Sequence, residues 1–122
     1  MEWQVTLPCL PAMVPVVRKL ARGLITDCPR TDDAELILSE LSGSTVRYGV
    51  GALSISLAAQ EGLVRLEVTD LGIRPDVARR PVDSEEVDAT GRGMAIVDAI
   101  ADRWGHQRNT KGHNTLWAEL DW

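Results

Sequence analysis

Leu53-Ser54-Ile55-Ser56-Leu57 and Val64-Arg65-Leu66-Glu67-Val68-Thr69, joined across Glu61-Gly62 and followed by Asp70-Leu71-Gly72, decide the fold. In each run apolar residues alternate with polar ones, the period of a strand with one buried face. The connection is short enough for an antiparallel hairpin. Asp70 reads as the first residue past the second strand.

Upstream, Leu38, Leu41, Thr45 and Tyr48 share one face at helical spacing, and Glu40, Ser44 and Arg47 (i, i+4, i+7) share another. Asp32 is placed to cap this helix, with Glu35 three residues later as in a capping box, and Gly49-Val50-Gly51 ends it. Earlier, Met13, Val17, Leu20 and Leu24 predict a first helix that tolerates Pro15 in its first turn. Trp3 to Leu7 alternates as an opening strand, ended by Pro8 and Pro11.

Downstream, residues 71–90 carry Gly72, Pro75, Pro81 and the run Asp83-Ser84-Glu85-Glu86-Val87-Asp88. They read as a long loop whose acidic run is solvated. A third helix starts near Gly93, with Met94, Val97 and Ala101 on one face. Trp104 to Arg108 and Thr115 to Leu120 predict a closing hairpin around Asn109-Thr110-Lys111-Gly112, with His106 and His113 at the surface. The pattern is an α/β two-layer sandwich, helices covering one face of a mostly antiparallel sheet.

A chain of 122 residues, 44% hydrophobic and 25% charged, suits one compact domain with a real core. No apolar run is long enough to span a membrane, and no basic segment precedes an apolar one at the N-terminus, so a cytoplasmic protein is expected. Cys9 and Cys28 read as reduced thiols. The net charge of -5 argues against a nucleic-acid binder, though not against a nucleotide, which needs only local donors and a helix N-terminus.

Three segments carry chemistry, each with an ordinary alternative. Asp70 either caps a turn or accepts a hydrogen bond from an exocyclic amine, with Gly72 letting a flat base approach the backbone. Gly91-Arg92-Gly93-Met94 is either a hinge at a helix start or a phosphate cradle at a helix N-terminus. Glu40 is either a solvent-facing glutamate or a general base beside the apolar stripe, with Ser44 one turn on.

In this order, Glu40 to Gly49, Asp70-Leu71-Gly72 and Gly91-Arg92-Gly93-Met94 resemble the N box and two glycine boxes of the GHKL ATPases. The stretches Val97 to Gly105 and Asn114 to Leu120 resemble its small bacterial branch of anti-sigma factors with serine-kinase activity. The resemblance covers nearly the whole chain. It implies a Bergerat-type ATP-binding fold, a single histidine-kinase-like domain over 1–122, and a nucleotide lid at about 73–90.

By position, the resemblance makes Glu40 the general base and Arg47 a basic residue at the helix end. Asp70 becomes the reader of the adenine amine, with Gly72 beside it and Thr115 completing that end. Gly91, Arg92, Gly93 and Met94 become the phosphate-binding turn. Two departures stand out: Arg74-Pro75 replaces a glycine of the first glycine box, and Ser44 replaces the asparagine that coordinates Mg2+. A hydroxyl is shorter than an amide, so it either reaches the metal through a bridging water or leaves it unanchored.

The function implied is ATP-dependent phosphorylation of a Ser or Thr on an anti-sigma factor antagonist. The alternative is a non-enzymatic module that sequesters a sigma factor or antagonist. Trp3, Trp117 and Trp122 are candidates for a core or a partner surface, a homodimer included.

Overall fold

The computed structural model describes residues 1–48, 51–72, 92–109 and 111–122. They form β1 (Glu2–Pro8), α1 (Met13–Leu24), α2 (Thr31–Tyr48), β2 (Ala52–Gln60), β3 (Leu63–Asp70), α3 (Arg92–Ile100), β4 (Arg103–Arg108) and β5 (Asn114–Asp121). The predicted loop and its acidic run lie outside the described residues from 73 onward, as do Gly91, Thr110 and Gly49-Val50.

The five described strands make one sheet in the order β1-β2-β3-β5-β4, and every neighbouring pair is antiparallel. Period-two alternation sends Leu53, Ile55, Leu57, Val64, Leu66, Val68, Leu116, Ala118 and Leu120 to one face, all buried. The helices cover that face with Val17 and Ala21 from α1, Ile37, Leu38 and Leu41 from α2, and Met94 and Val97 from α3. Each Leu or Ile side chain so buried is worth roughly 1.5–3 kcal/mol relative to exposure. Trp3 and Trp104 pack partly buried against this core. The α/β two-layer sandwich predicted from the alternation is the architecture observed.

The opposite sheet face is polar, with one aromatic stack. Trp117 lies over Gly105, where an added Cβ would sit 3.1 Å from the indole. Above the ring, the Arg65 guanidinium is 4.5 Å from its centroid, a cation–π arrangement. Glu119 accepts from Arg65 at 3.0 Å and from Arg103 at 2.7 Å. Trp122 is exposed. Among the described residues, no helix is long and apolar enough to cross a membrane.

Three local expectations are corrected. α2 begins at Thr31, not after a cap at Asp32. The Thr31 hydroxyl lies 2.8 Å from the carbonyls of both Ile25 and Cys28, while Asp32 and Glu35 both turn to Arg22 of α1. The Arg22 guanidinium presents a fork of donors that holds both carboxylates at once. Asp70 is the last residue of β3, paired on both sides, not the first past it. His106 and His113 are half-buried.

One end of the sandwich is closed by Arg30, just before α2. Its guanidinium donates to Asp33 at 3.1 Å, Asp102 at 2.7 Å, the Asp121 carbonyl at 3.1 Å and the Ile100 carbonyl at 2.8 Å. Partial burial works against the Arg30 charge, but Asp33 and Asp102 more than reverse this. Asp102 is held below its ordinary range chiefly by the Asp121 backbone N–H, with Arg30 adding to it.

Arg30→Met keeps the stem and removes the guanidinium. It is expected to lower stability by about 2 kcal/mol near neutrality, a figure already reduced for the solvent-exposed carboxylates. Asp102 has a depressed folded pKa, so its contribution is present above the unfolded value near 3.8 and is lost as pH falls through the folded value. Urea unfolding should therefore show a constant gap between wild type and variant near neutrality that narrows as pH falls below about 4.

Candidate functional site

The sheet's helix face stays apolar along β3 and β5 until their shared last row. There β3 ends in Asp70 and β5 begins with Asn114, directly opposite each other, with Leu53 on the far side of Asp70. Period two fixes their direction: Asp70 follows Val64, Leu66 and Val68, and Asn114 precedes Leu116, Ala118 and Leu120. Asp70 is 7% exposed and Asn114 is 4% exposed. Both amide atoms of Asn114 are buried without a hydrogen-bond partner among the described residues. Just past Asp70, Leu71 N–H still donates to the Ala52 carbonyl at 3.0 Å, and Gly72 turns away with φ of 51°. That left-handed conformation suits glycine and leaves no side chain over the row.

Cys9 ties the second half of α2 to this end. Its Sγ lies 3.7 Å from the Thr45 carbonyl, and its backbone N–H donates to Gly51 at 3.0 Å. Burial, and then the nearby Asp70 carboxylate, push the Cys9 thiol up from its ordinary value. Leu41 and Thr45 face the sheet, both buried.

The flanks of α2 are distinguishable. Glu35 pairs with Arg22 of α1, whereas Asp33 joins the Arg30 cluster that reaches Ile100 at the end of α3. Glu40 and Ser44, at i+7 and i+11 from Asp33, lie on Asp33's flank, toward α3. Both are half-buried, and Arg47 is exposed. Arg30, ahead of the first turn of α2, binds the Ile100 carbonyl in the last turn of α3, so these two helix ends lie together. In the first turn of α3, Met94 is buried. An α-helix N-terminus carries unpaired N–H groups and roughly half a positive charge.

Of the residues singled out from sequence, Asp70 and Gly72 lie at the end of β3, Glu40 and Ser44 on one flank of α2, and Met94 in the first turn of α3. Gly91 lies outside the described residues. Thr115 does not join them. It occupies the other sheet face, where its hydroxyl and that of Thr69 are 2.8 Å apart. Asn114 takes the position beside Asp70 that sequence reasoning gave to Thr115. The signal was present: burial of Leu116, Ala118 and Leu120 puts 114, not 115, on the core face.

Residues 6–120 match the family described as the histidine kinase-like ATPase domain, the GHKL type. No curated protein matches the chain. Such a domain implies ATP binding, and the residues fit a nucleotide's base: a buried carboxylate and a buried amide share one row. For a metal the fit is of another kind. Glu40 and Ser44 offer one carboxylate and one hydroxyl, and no group of three or more His, Cys, Asp or Glu among the described residues makes a cage. Magnesium commonly sits on one or two protein oxygens plus phosphates and water, so this pair suits an ion shared with a polyphosphate.

Half-buried Cys28 is expected to react with iodoacetamide before buried Cys9, as read by mass mapping of alkylated peptides over time. Asp70→Asn removes the charge that raises the Cys9 thiol, so the pH profile of Cys9 modification should move to lower pH.

Proposed function

The chain belongs to the histidine kinase-like ATPase domain family, and from that premise we propose an ATP-binding regulatory protein of the anti-sigma factor type that phosphorylates a Ser or Thr of an antagonist protein. The observation that carries the nucleotide reading is the burial of Asp70 in the last core row, opposite Asn114. A carboxylate there accepts a hydrogen bond from the exocyclic amine of adenine. Gly72 leaves the base room to lie against the backbone.

The turn Gly91, Arg92, Gly93 and Met94 at the start of α3 serves the phosphates through backbone N–H groups and the helix dipole. Glu40, half-buried on the flank of α2 that faces α3, takes the proton of the incoming hydroxyl. Arg47, at the exposed end of the same helix, adds positive charge on the approach. Bound Mg2+ supplies charge neutralisation, and Ser44 would help hold it. The protein partners are the antagonist and a sigma factor, and the setting is the cytoplasm.

Ser44 favours a second reading, in which the same fold binds nucleotide and sequesters its partner without turnover. A hydroxyl in place of an amide anchors magnesium less well, and phosphoryl transfer depends on that anchoring. Transfer of labelled phosphate from ATP to a cognate antagonist separates the two: transfer lost in Glu40→Ala supports the kinase, and no transfer from wild type supports sequestration.

Binding is tested first, by titration with ATP with and without magnesium, followed through tryptophan fluorescence or calorimetry. Asp70→Asn should weaken binding roughly 10- to 100-fold, the value of a hydrogen bond to a charged group, and more than Glu40→Ala does. Ser44→Asn should strengthen magnesium-dependent binding, and no gain would place residue 44 away from the metal.

A further inference from the structure

The β4–β5 hairpin carries Arg108, Lys111 and His113 around its turn, in a protein whose net charge is -5. It is braced from within. Asn109 Oδ1 accepts from the backbone N–H groups of Lys111 and His113, each at 2.9 Å, and Asn109 N–H donates to the His113 carbonyl at 2.9 Å. An asparagine bonded to the backbone two residues on holds a turn in one shape. The Arg108 guanidinium folds back beside this turn, with Nη2 3.8 Å from where a Cβ on Gly112 would sit. Arg108 and Lys111 are exposed. Elsewhere Arg18 and Arg22 pair with Glu35, Arg30 with Asp33 and Asp102, and Arg65 and Arg103 with Glu119. Arg108 and Lys111, like Lys19 and Arg47, have no carboxylate within ion-pair distance among the described residues. Across the sheet, Arg108 faces Asn114 and Asn114 faces Asp70, so the hairpin projects from the edge of the last row. Two strand spacings put the Arg108 backbone about 10 Å from that of Asp70.

We infer that this hairpin is a docking element for a short acidic segment of a protein partner, with Arg108 and Lys111 pairing the segment's carboxylates. The inference rests on the reading above of a chain that acts on, or sequesters, another protein. Charge selects the occupant. A nucleic acid or an anionic bilayer spreads negative charge over a wide area, and the rest of an acidic surface repels it. A segment with a few carboxylates meets only the local positive excess. Cations that the protein leaves unpaired give up no internal ion pair when such a segment arrives, and complementary charge at a rim sets partner choice and encounter rate. The braced turn adds to this, because a turn already held in shape loses little further freedom on binding.

The test is an NMR titration of the 15N-labelled full chain with a synthetic peptide that carries one Ser between two pairs of acidic residues. A counterpart with Gln and Asn in place of the acids is titrated alongside. A few exposed pairs give affinity near ~1 mM, which this method reads. The amides of Lys111, Gly112 and His113 should shift saturably with the acidic peptide and not with the neutral one. Arg108→Glu and Lys111→Glu should each weaken binding about 5-fold, and raising the salt from ~20 to ~300 mM should weaken it by a similar factor. Lys19→Glu changes the net charge equally at an exposed cation of α1 and should leave the affinity within about 2-fold. An equal loss in Lys19→Glu overturns the inference, as do equal shifts with the neutral peptide or shifts only at residues away from the hairpin. Tighter binding of a single-stranded oligonucleotide to the hairpin also overturns it. ATP titration of the same samples keeps the two readings apart. ATP binding with no response to the acidic peptide sinks this inference alone, whereas a hairpin response without ATP binding supports it and sinks the nucleotide reading.

Discussion

Arg30 makes the connection on which the arrangement of the layers depends. It precedes α2, yet its guanidinium reaches the last carbonyl of α3, the carboxylate that opens the α3–β4 corner and the carbonyl at the end of β5. A rigid fork of donors suits this task, because several acceptors are held at fixed angles by one group. That closure fixes the start of α2 against the end of α3 and the end of β5.

The two ends of the sheet treat charge differently. At the Arg30 end, Asp102, Glu119 and Asp121 are partly exposed, matched with arginines, and held as carboxylates by them. Such pairs add modest stability and lose little to desolvation. At the other end a carboxylate and an amide are buried in the last core row.

Much of this was legible in the sequence because alternation and helical spacing are local signals. The hairpin of β2 and β3, the stripe Leu38, Leu41 and Thr45, and the position of Pro15 in the first turn of α1 all follow from them. What local signals do not contain is pairing at a distance. The β3–β5 contact, which joins two hairpins and sets Asp70 opposite Asn114, links residues far apart in the chain. Thr115 came from the resemblance alone, and the register puts it on the other sheet face, where its hydroxyl meets that of Thr69. The expected cap at Asp32 failed for want of a tertiary contact, since Arg22 lies on another helix.

On the proposed function, the site divides its work among three elements that need not change together. Base recognition belongs to the sheet row, phosphate binding to the first turn of α3, and proton and metal handling to one flank of α2. Ser44 lies on that flank, and the row of Asp70 and Asn114 is held by β2, β3, β4 and β5 without it. A substitution at 44 therefore alters metal anchoring while leaving the groups that select the base in place. The same fold can then pass between a kinase and a nucleotide-dependent binder by changes on one helix face, with the core alternation and the Arg30 closure untouched. Loss of Asp70 has no such latitude, because its row is shared by the core and the ligand.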